Sequence, residues 1–242
     1  QGVSYAIDAA CASSLYAIHL ACQALHDDRA DLILAGGTNN SDDLFLHIGF
    51  STLKALSPTG FSRPFSVQAD GLIPAHGAAV VALKRLNDAV RDGDTILGVI
   101  RGVGVSNDGR AGGSLSPAQS GQVQAIRMAF ECAELSPADV QVVECLATGT
   151  SVGDGVELAA LSEIFAGAGS LRIGSHKGNI GHAITAAGAA GLLKVLGMFR
   201  HQTYVPTIPG ENWRPDLKSS VMRICDRVEP WTTTQTRRAG LS

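Results

Sequence analysis

Apolar positions along this chain fall into runs of two kinds, strand-like stretches of β-branched and small residues and longer stretches with helical spacing. VSYAID (3–8) belongs to the first kind and passes through DAAC into a segment where Leu15, Ile18, Cys22 and Leu25 share one helical face; DLILAGG (31–37) is strand-like again. The pattern predicts a strand, a helix over 12–26 and a second strand, a β-α-β unit. SPTGFSRPFS (57–66), rich in Pro, Gly and Ser, predicts a surface loop. Beyond it GAAVVALKRL (77–86) predicts a strand, DAVRDGD (88–94) a short helix and turn, and TILGVIRGVGVSN (95–107) a long strand.

SPAQSGQVQAIRMAFECAEL (116–135) predicts a helix opened by a Ser-Pro start signal, and SPADVQVVECLA (136–147) repeats that signal before an apolar strand. A helix over 153–166 and a strand over 171–175 follow. KGNIGHAITAAGAAGLLKVLGMF (177–199) then sets a Gly-rich turn before a helix dense in Ala and Gly. Glycine weakens a helix, so these small residues point to close packing inside a core. VSYAIDAACASSLYAIHLACQAL and LRIGSHKGNIGHAITAAGAAGLLKVLGMF share the order strand, small-residue turn, helix, in pattern rather than identity. Two such units predict a pseudo-twofold domain that delivers Cys11 and His182 from equivalent corners.

With 45% hydrophobic and 17% charged residues, 242 positions suffice for a globular α/β protein with a substantial core, as one domain or two fused halves. A net charge of -3 offers no basic surface for nucleic acid, which leaves small molecules or protein partners. No apolar run reaches membrane-spanning length and no signal-peptide pattern opens the chain, so a cytoplasmic setting without membrane attachment is expected. Cys11, Cys22, Cys132, Cys145 and Cys225 form no CxxC and no Cys/His pair at metal spacing, and their odd number argues against a disulfide scaffold. Reduced thiols and no metal are expected. The chain opens one strand before Cys11 and closes on RRAGLS within a strand, so a piece of a longer polypeptide is expected.

A thiolate is the nucleophile, and the positive end of a helix lowers a thiol's pKa, which makes Cys11 the candidate reactive cysteine. Its small neighbours Ala9, Ala10, Ala12, Ser13 and Ser14 leave room for a substrate carbonyl. Cys22, Cys132 and Cys225 read as packing residues. Of the seven histidines, His182 follows the NIGH turn at a predicted helix start; His19, His26, His47 and His201 read as surface or satisfied core residues. Lys177, in the same turn, can support an anionic intermediate. TGTSVGD (148–154) adds two hydroxyls and, taken alone, is a loop or a helix N-cap with Asp154 near the first turn.

In their order and spacing, DAACASSL, ALSPTGFSRPF, ADGLIPAHGAAVVALKRL, IRGVGVSNDG, VVECLATGTSVGDGVEL and GSHKGNIGHAITAAGAAGLLK resemble the β-ketoacyl synthase domains of modular polyketide and polyunsaturated fatty acid synthases. The resemblance runs over essentially the whole chain. It implies the thiolase fold, an αβαβα layered sandwich with two pseudo-equivalent halves, truncated here at both ends and usually a homodimer. Residues 1–110 would be the rest of the N-terminal half and 111–242 most of the C-terminal half of a partial synthase domain. Cys11 matches the cysteine that takes an acyl group from a phosphopantetheine thioester on an acyl carrier protein. His182 matches the second histidine, which aids decarboxylation of a malonyl-type extender, and Lys177 the lysine supporting that turn. Thr148 and Thr150 match the paired threonines along the pantetheine path, and Asn179 joins them as a substrate-binding residue. The resemblance implies no cofactor bound by the domain itself, and as partners the carrier protein, a second copy and neighbouring domains of a multifunctional synthase.

The departure is at position 146. Where the family reads E-A-H-G-T-G-T, this chain reads Glu144, Cys145, Leu146, Ala147, Thr148, Gly149, Thr150, so Leu146 replaces the first catalytic histidine. Leucine offers no hydrogen bond, and loss of one preorganised donor typically costs about 10²- to 10³-fold in rate. Transfer of an acyl group onto Cys11 asks less of that position. His76, in PAHGAA, stands where many members carry Glu, and alters a structural polar contact. Two readings stay open, a condensing domain and a non-elongating relative that accepts and passes on acyl chains. A Cys/His thioester hydrolase would need a third group to orient His182. A structural pseudo-subunit would leave Cys11 unreactive.

Overall fold

Val142 and Val143, neighbours in sequence, lie on opposite faces of one sheet and so belong to different cores, as the period of two in a strand demands. The structure, a computed structural model, describes residues 2–41, 44–109, 116–208, 212–217 and 221–242. The expected boundary between halves at 110/111 lies outside the described residues.

In chain order the elements are α1 (Ser13–His26), β1 (Ile33–Asn39), α2 (Leu44–Thr52), β2 (Gly77–Leu83), α3 (Leu86–Asp92), α4 (Gln119–Ala133), β3 (Val142–Glu144), α5 (Ser151–Ile164), β4 (Leu171–Gly174), α6 (Lys177–Ile180), α7 (Ala187–His201), β5 (Thr203–Tyr204), β6 (Met222–Ile224), β7 (Glu229–Pro230) and β8 (Ala239–Leu241). A parallel sheet runs β6-β4-β3-β8, while β1 and β2 pair antiparallel with Ile33 opposite Leu83 and Asn39 opposite Gly77.

These elements stack in layers. On one face of the parallel sheet Val143, Ile173 and Leu171 meet Leu158, Leu161 and Phe165 of the α5 segment. On the other face Val142 meets Val195 and Met198 of α7. Ile18 and Ala21 of α1, with Leu192 of α7, pack on Ala35 and Val81 of the β1–β2 pair. The order is therefore helices, parallel sheet, central helices α1 and α7, second sheet: four successive layers of the αβαβα arrangement. The far face of β1–β2 carries Leu34 at 68% and Val80 at 55% exposure.

Small residues allow the two central helices to meet. A Cβ on Gly188 would overlap Leu15 and Ser14, and the Ala189 amide donates to Ser14 Oγ over 3.0 Å. The Ala/Gly density of α7 thus serves close packing, as its sequence implies.

The predicted internal likeness appears in detail. A 3₁₀ turn, Ala10–Ala12, runs into α1, and a second, Ile184–Ala186, runs into α7. Both begin on a non-glycine residue in the left-handed region, Ala10 at φ 50° and Ile184 at φ 40°. The Ala12 amide donates to Ala9 O over 3.1 Å, and the Ala186 amide to Ala183 O over 2.8 Å. The corners are equivalent, but the residues are not: Cys11 lies inside its turn, whereas His182 precedes the other.

Two predicted strands differ. Residues 3–8 and 95–107 form no ladder among the described residues, because a β-rich sequence becomes a strand only with a partner to take its hydrogen bonds. Val3 and Tyr5 are exposed; Gly102 and Gly104 lie directly against the backbone of α4. The helix α2, within a stretch whose pattern predicted no element, completes the described first half.

Candidate active site

The left-handed Ala10 turns the chain sharply just before Cys11, a conformation that costs roughly 1–3 kcal/mol for a residue with a Cβ. Local hydrogen bonds hold it. The Ala10 amide donates to Asp8 Oδ1 over 2.8 Å, the Ala9 amide to Ser13 Oγ over 2.9 Å, and the Ser13 hydroxyl to Ala10 O over 2.6 Å.

His182 reaches the same point from the other half. Gly181, at φ 79°, lets the chain swing in, and the His182 backbone then pairs with the 73–75 segment: its amide donates to Ile73 O over 2.7 Å, and the Ala75 amide donates to His182 O over 2.9 Å. The ring is buried and its Nε2 lies 3.0 Å from Cys11 Sγ. With the thiol as donor, Nε2 is the acceptor and Nδ1 carries the hydrogen; Nδ1 has no partner among the described residues.

Electrostatics makes this a neutral pair at rest. Burial pushes the Cys11 thiol up, against the opposing pull of the Lys177 cation and of a backbone hydrogen bond. Proximity to a helix start therefore does not produce the lowered thiol that its place in the sequence predicts, since desolvation outweighs it. Burial, reinforced by Lys177 and His176, pulls His182 down to about 3. Lys177, first residue of α6 and 2% exposed, is lowered by burial and supported chiefly by Glu144 and Glu157.

Buried carboxylates shape the 146–150 loop. Glu157 accepts the amides of Leu146 and Ala147, each over 2.8 Å. Asp154, one turn earlier on α5, accepts those of Phe65 over 2.8 Å and Gly149 over 3.2 Å. Ser175 Oγ donates to Ala147 O over 3.0 Å, and the Gly71 amide to Gly149 O over 2.9 Å. Burial raises both acids, Asp154 to about 7. Within this frame Thr148 Oγ1 and Thr150 Oγ1 lie 3.1 Å apart and half-buried.

The structure thus brings Cys11 and His182 into contact, with Lys177 close enough to act electrostatically on both. Asn179 is exposed on α6. His76 Nδ1 meets Ser41 Oγ at 3.1 Å, a structural polar contact. Glu144 and His176 carry no local signature of their roles, and Asp154 by itself reads as an ordinary helix-start acid. The spacing of Asp154 and Glu157, which puts both on one face of a helix after an apolar strand, was the available signal. Among the described residues no group of three or more His, Cys, Asp or Glu side chains is arranged to hold a metal ion.

Comparison with known proteins matches two successive parts of the chain to one family. Residues 1–89 match the family model for the β-ketoacyl synthase N-terminal domain, and residues 97–211 that for the C-terminal domain. The hybrid synthetase ATPKS of Aspergillus niger is 40% identical over 254 residues, covering 100% of this chain and 14% of the relative. The mycocerosic acid synthase-like polyketide synthase of Mycolicibacterium smegmatis is 39% identical over 247 residues, covering 100% of this chain and 12% of the relative. The chain therefore spans a small part of the curated relatives it matches. Among solved structures, the oxazolomycin ketosynthase domain of Streptomyces albus superposes with a TM-score of 0.92 at 40% identity, covering 96% of this chain and 41% of that one. The ketosynthase from module 6 of the bacillaene synthase of Bacillus subtilis gives 0.93 at 37% identity, covering 97% and 44%.

Proposed function

The chain belongs to the β-ketoacyl synthase family, as a thiolase-like ketosynthase domain of the polyketide synthase type, and from that premise we propose that Cys11 accepts an acyl group and the site condenses it with a malonyl-type extender. The observation that carries this reading is the 3.0 Å contact between Cys11 Sγ and His182 Nε2.

Loading begins when the thioester carbonyl of an acyl carrier protein substrate meets Cys11. The thiol proton passes to His182 Nε2 as sulfur attacks, and the phosphopantetheine thiolate leaves and takes that proton. A resting pair with a raised thiol and a weakly basic imidazole ionises only as the new carbon–sulfur bond forms. In the second half-reaction a malonyl-type thioester loses carbon dioxide. The resulting enolate attacks the acyl-Cys11 carbonyl, and the cysteine sulfur leaves. His182 and the Lys177 charge stabilise the enolate, and Leu146 contributes no donor.

One observation favours a second reading. With Leu146 in the 146–150 loop, the domain would load and pass on acyl chains without extending them. The complete ketosynthase domain, incubated with acyl carrier protein thioester and malonyl thioester, separates the two by mass spectrometry. Acyl-Cys11 together with decarboxylated, elongated product supports condensation; acyl-Cys11 alone supports transfer without extension. A domain in which Cys11 stays unmodified contradicts both. A thioester hydrolase is disfavoured because His182 Nδ1 has no orienting partner among the described residues.

The setting proposed is a large multidomain synthase, as in the curated relatives. Its carrier protein would be the partner at Thr148, Thr150 and Asn179, and a second copy would complete a homodimer. No cofactor of its own is required, since the substrates travel on phosphopantetheine. Among the described residues no helix is long and apolar enough to cross a membrane, and a cytoplasmic location remains part of the proposal.

A further inference from the structure

Next to Lys177 lies a buried cluster that the proposed chemistry does not use. Glu144, at the end of β3, accepts on Oε1 both the His176 backbone amide over 2.6 Å and His176 Nδ1 over 2.8 Å. Its Oε2 lies 2.7 Å from Lys194 Nζ of α7. Gly191 of α7 leaves room for this arrangement, since a Cβ there would approach Glu144 Cγ to 3.3 Å and His176 Cε1 to 3.6 Å.

An ionised carboxylate only accepts, so His176 Nδ1 carries the hydrogen and Nε2 bears a lone pair. That Nε2 is buried and has no partner among the described residues. Burying an unmatched acceptor lowers stability relative to an apolar side chain of similar size, so the imidazole demands a reason beyond packing. The reason lies with Glu144, whose charge is the strongest of the negative influences on Lys177. Lys177 in turn is the strongest charge acting on both Cys11 and His182.

We propose that His176 is a positioning residue for the nucleophilic site: its Nδ1–H fixes the Glu144 carboxylate that supports Lys177, and through Lys177 it governs the reactivity of Cys11. The groups in play are Glu144 from β3, Lys194 from α7, Glu157 from α5, Lys177 and His182 from the turn itself, and Cys11 and Cys145. The His176 side chain and the Lys194 cation outweigh the burial of Glu144 and hold it below the usual carboxylate range, while burial pulls His176 down and favours its neutral form. Without the Nδ1 donor Glu144 loses support as an anion, Lys177 loses support as a cation, and the Cys11 thiolate becomes harder to form. This inference rests on the reading of Cys11 as nucleophile.

The test is alkylation of Cys11 by iodoacetamide in the complete ketosynthase domain, followed on the Cys11 peptide by mass spectrometry between about pH 6 and pH 10. His176→Leu should move the profile to higher pH and slow labelling at neutral pH roughly tenfold, the effect of a one-unit rise in the thiol. His176→Asn, whose amide nitrogen can take the place of Nδ1, should restore most of the rate. Profiles of both variants that overlay the wild type, or an Asn variant that behaves like the Leu variant, overturn the proposal. A wild-type domain unlabelled at Cys11 overturns the nucleophile reading and this inference with it. If the Leu variant does not fold, nitrogen-15 histidine spectra of the wild type decide. A neutral Nδ1–H tautomer of His176 at neutral pH supports the proposal, and an imidazolium or Nε2–H tautomer overturns it.

Discussion

Cys11 Sγ and His182 Nε2 lie 3.0 Å apart although 171 positions separate them in the chain. What closes that distance is the pseudo-symmetry of the two halves, each carrying a 3₁₀ turn that opens on a left-handed residue and runs into a central helix. The helices then pack on each other through Gly188 and Ser14. The Cys11–His182 contact is a by-product of packing two similar units back to back, with the proposed nucleophile supplied by one and its proposed proton acceptor by the other.

The stretch β1 secures this meeting. A Cβ on Gly37 would run into Thr185 O and come within 3.0 Å of Ala186 Cα, both in the turn that follows His182. Backbone cannot rotate away as a side chain can, so Gly37→Ala must displace that turn. We expect a stability loss of roughly 1–3 kcal/mol, as for overpacked cores, measured by denaturant unfolding of the complete domain. Acylation of Cys11 should fall by a larger factor than after Gly77→Ala on the same sheet pair, where a Cβ meets nothing within 4 Å. Equal effects from the two variants would show that Gly37 does not control the pair.

Position 146 is held by its backbone, since the Leu146 amide donates to Glu157 Oε1 over 2.8 Å whatever its side chain. Leu146→His should therefore keep the loop and add the missing donor. Condensation should rise by about 10²- to 10³-fold, while loading of Cys11 changes little. The comparison is elongated product against acyl-Cys11, from the same incubation by mass spectrometry. An unchanged product yield would place the limiting defect elsewhere in the site.

The groups proposed to react could be singled out in the sequence because they lie in recognisable turns, Cys11 in DAACASS and Lys177 and His182 in KGNIGH. The framework could not, because its partners are backbone amides and carboxylates far apart in the chain. Asp154 bonds Phe65, 89 positions away, and His176 bonds Glu144, 32 positions away; no local pattern encodes either. The same holds for the fold. Helices α1, α4, α5 and α7 could be read from periodicity, since a helix satisfies its own backbone. The β-rich runs 3–8 and 95–107 read as strands too, yet a strand exists only in relation to another, and they have no partner among the described residues.

Glu157 serves two amides at once, so it separates geometry from charge. Glu157→Ala orphans the Leu146 and Ala147 amides in a buried loop, at about 1–3 kcal/mol each. Glu157→Gln keeps one carbonyl acceptor and should lose less stability. Because Glu157 also supports the Lys177 cation, both variants should move alkylation of Cys11 to higher pH, including the Gln variant. A Gln variant that labels with the wild-type pH profile would assign Glu157 a role in the loop alone.

Two buried groups pull the pH dependence of stability in opposite directions. His182 falls to about 3 in the folded protein. The unfolded chain therefore binds a proton that the folded one refuses between about pH 6.5 and that value, so stability drops as pH falls through this window by roughly 1.4 kcal/mol per unit. Asp154 rises to about 7. There the folded protein keeps a proton that the unfolded chain has released, so stability drops as pH rises from about 4 towards that value, again by roughly 1.4 kcal/mol per unit at most. Between about pH 4 and pH 6.5 the two nearly cancel, and the wild type conceals both. Measured as differences from the wild type by denaturant unfolding, His182→Leu should gain stability as pH falls through that range. Asp154→Asn should gain stability as pH rises through it. Parallel curves for the three proteins would show that neither residue changes its protonation on folding. A slope in one variant alone would assign the linkage to that residue and leave the other's environment closer to water than its burial implies.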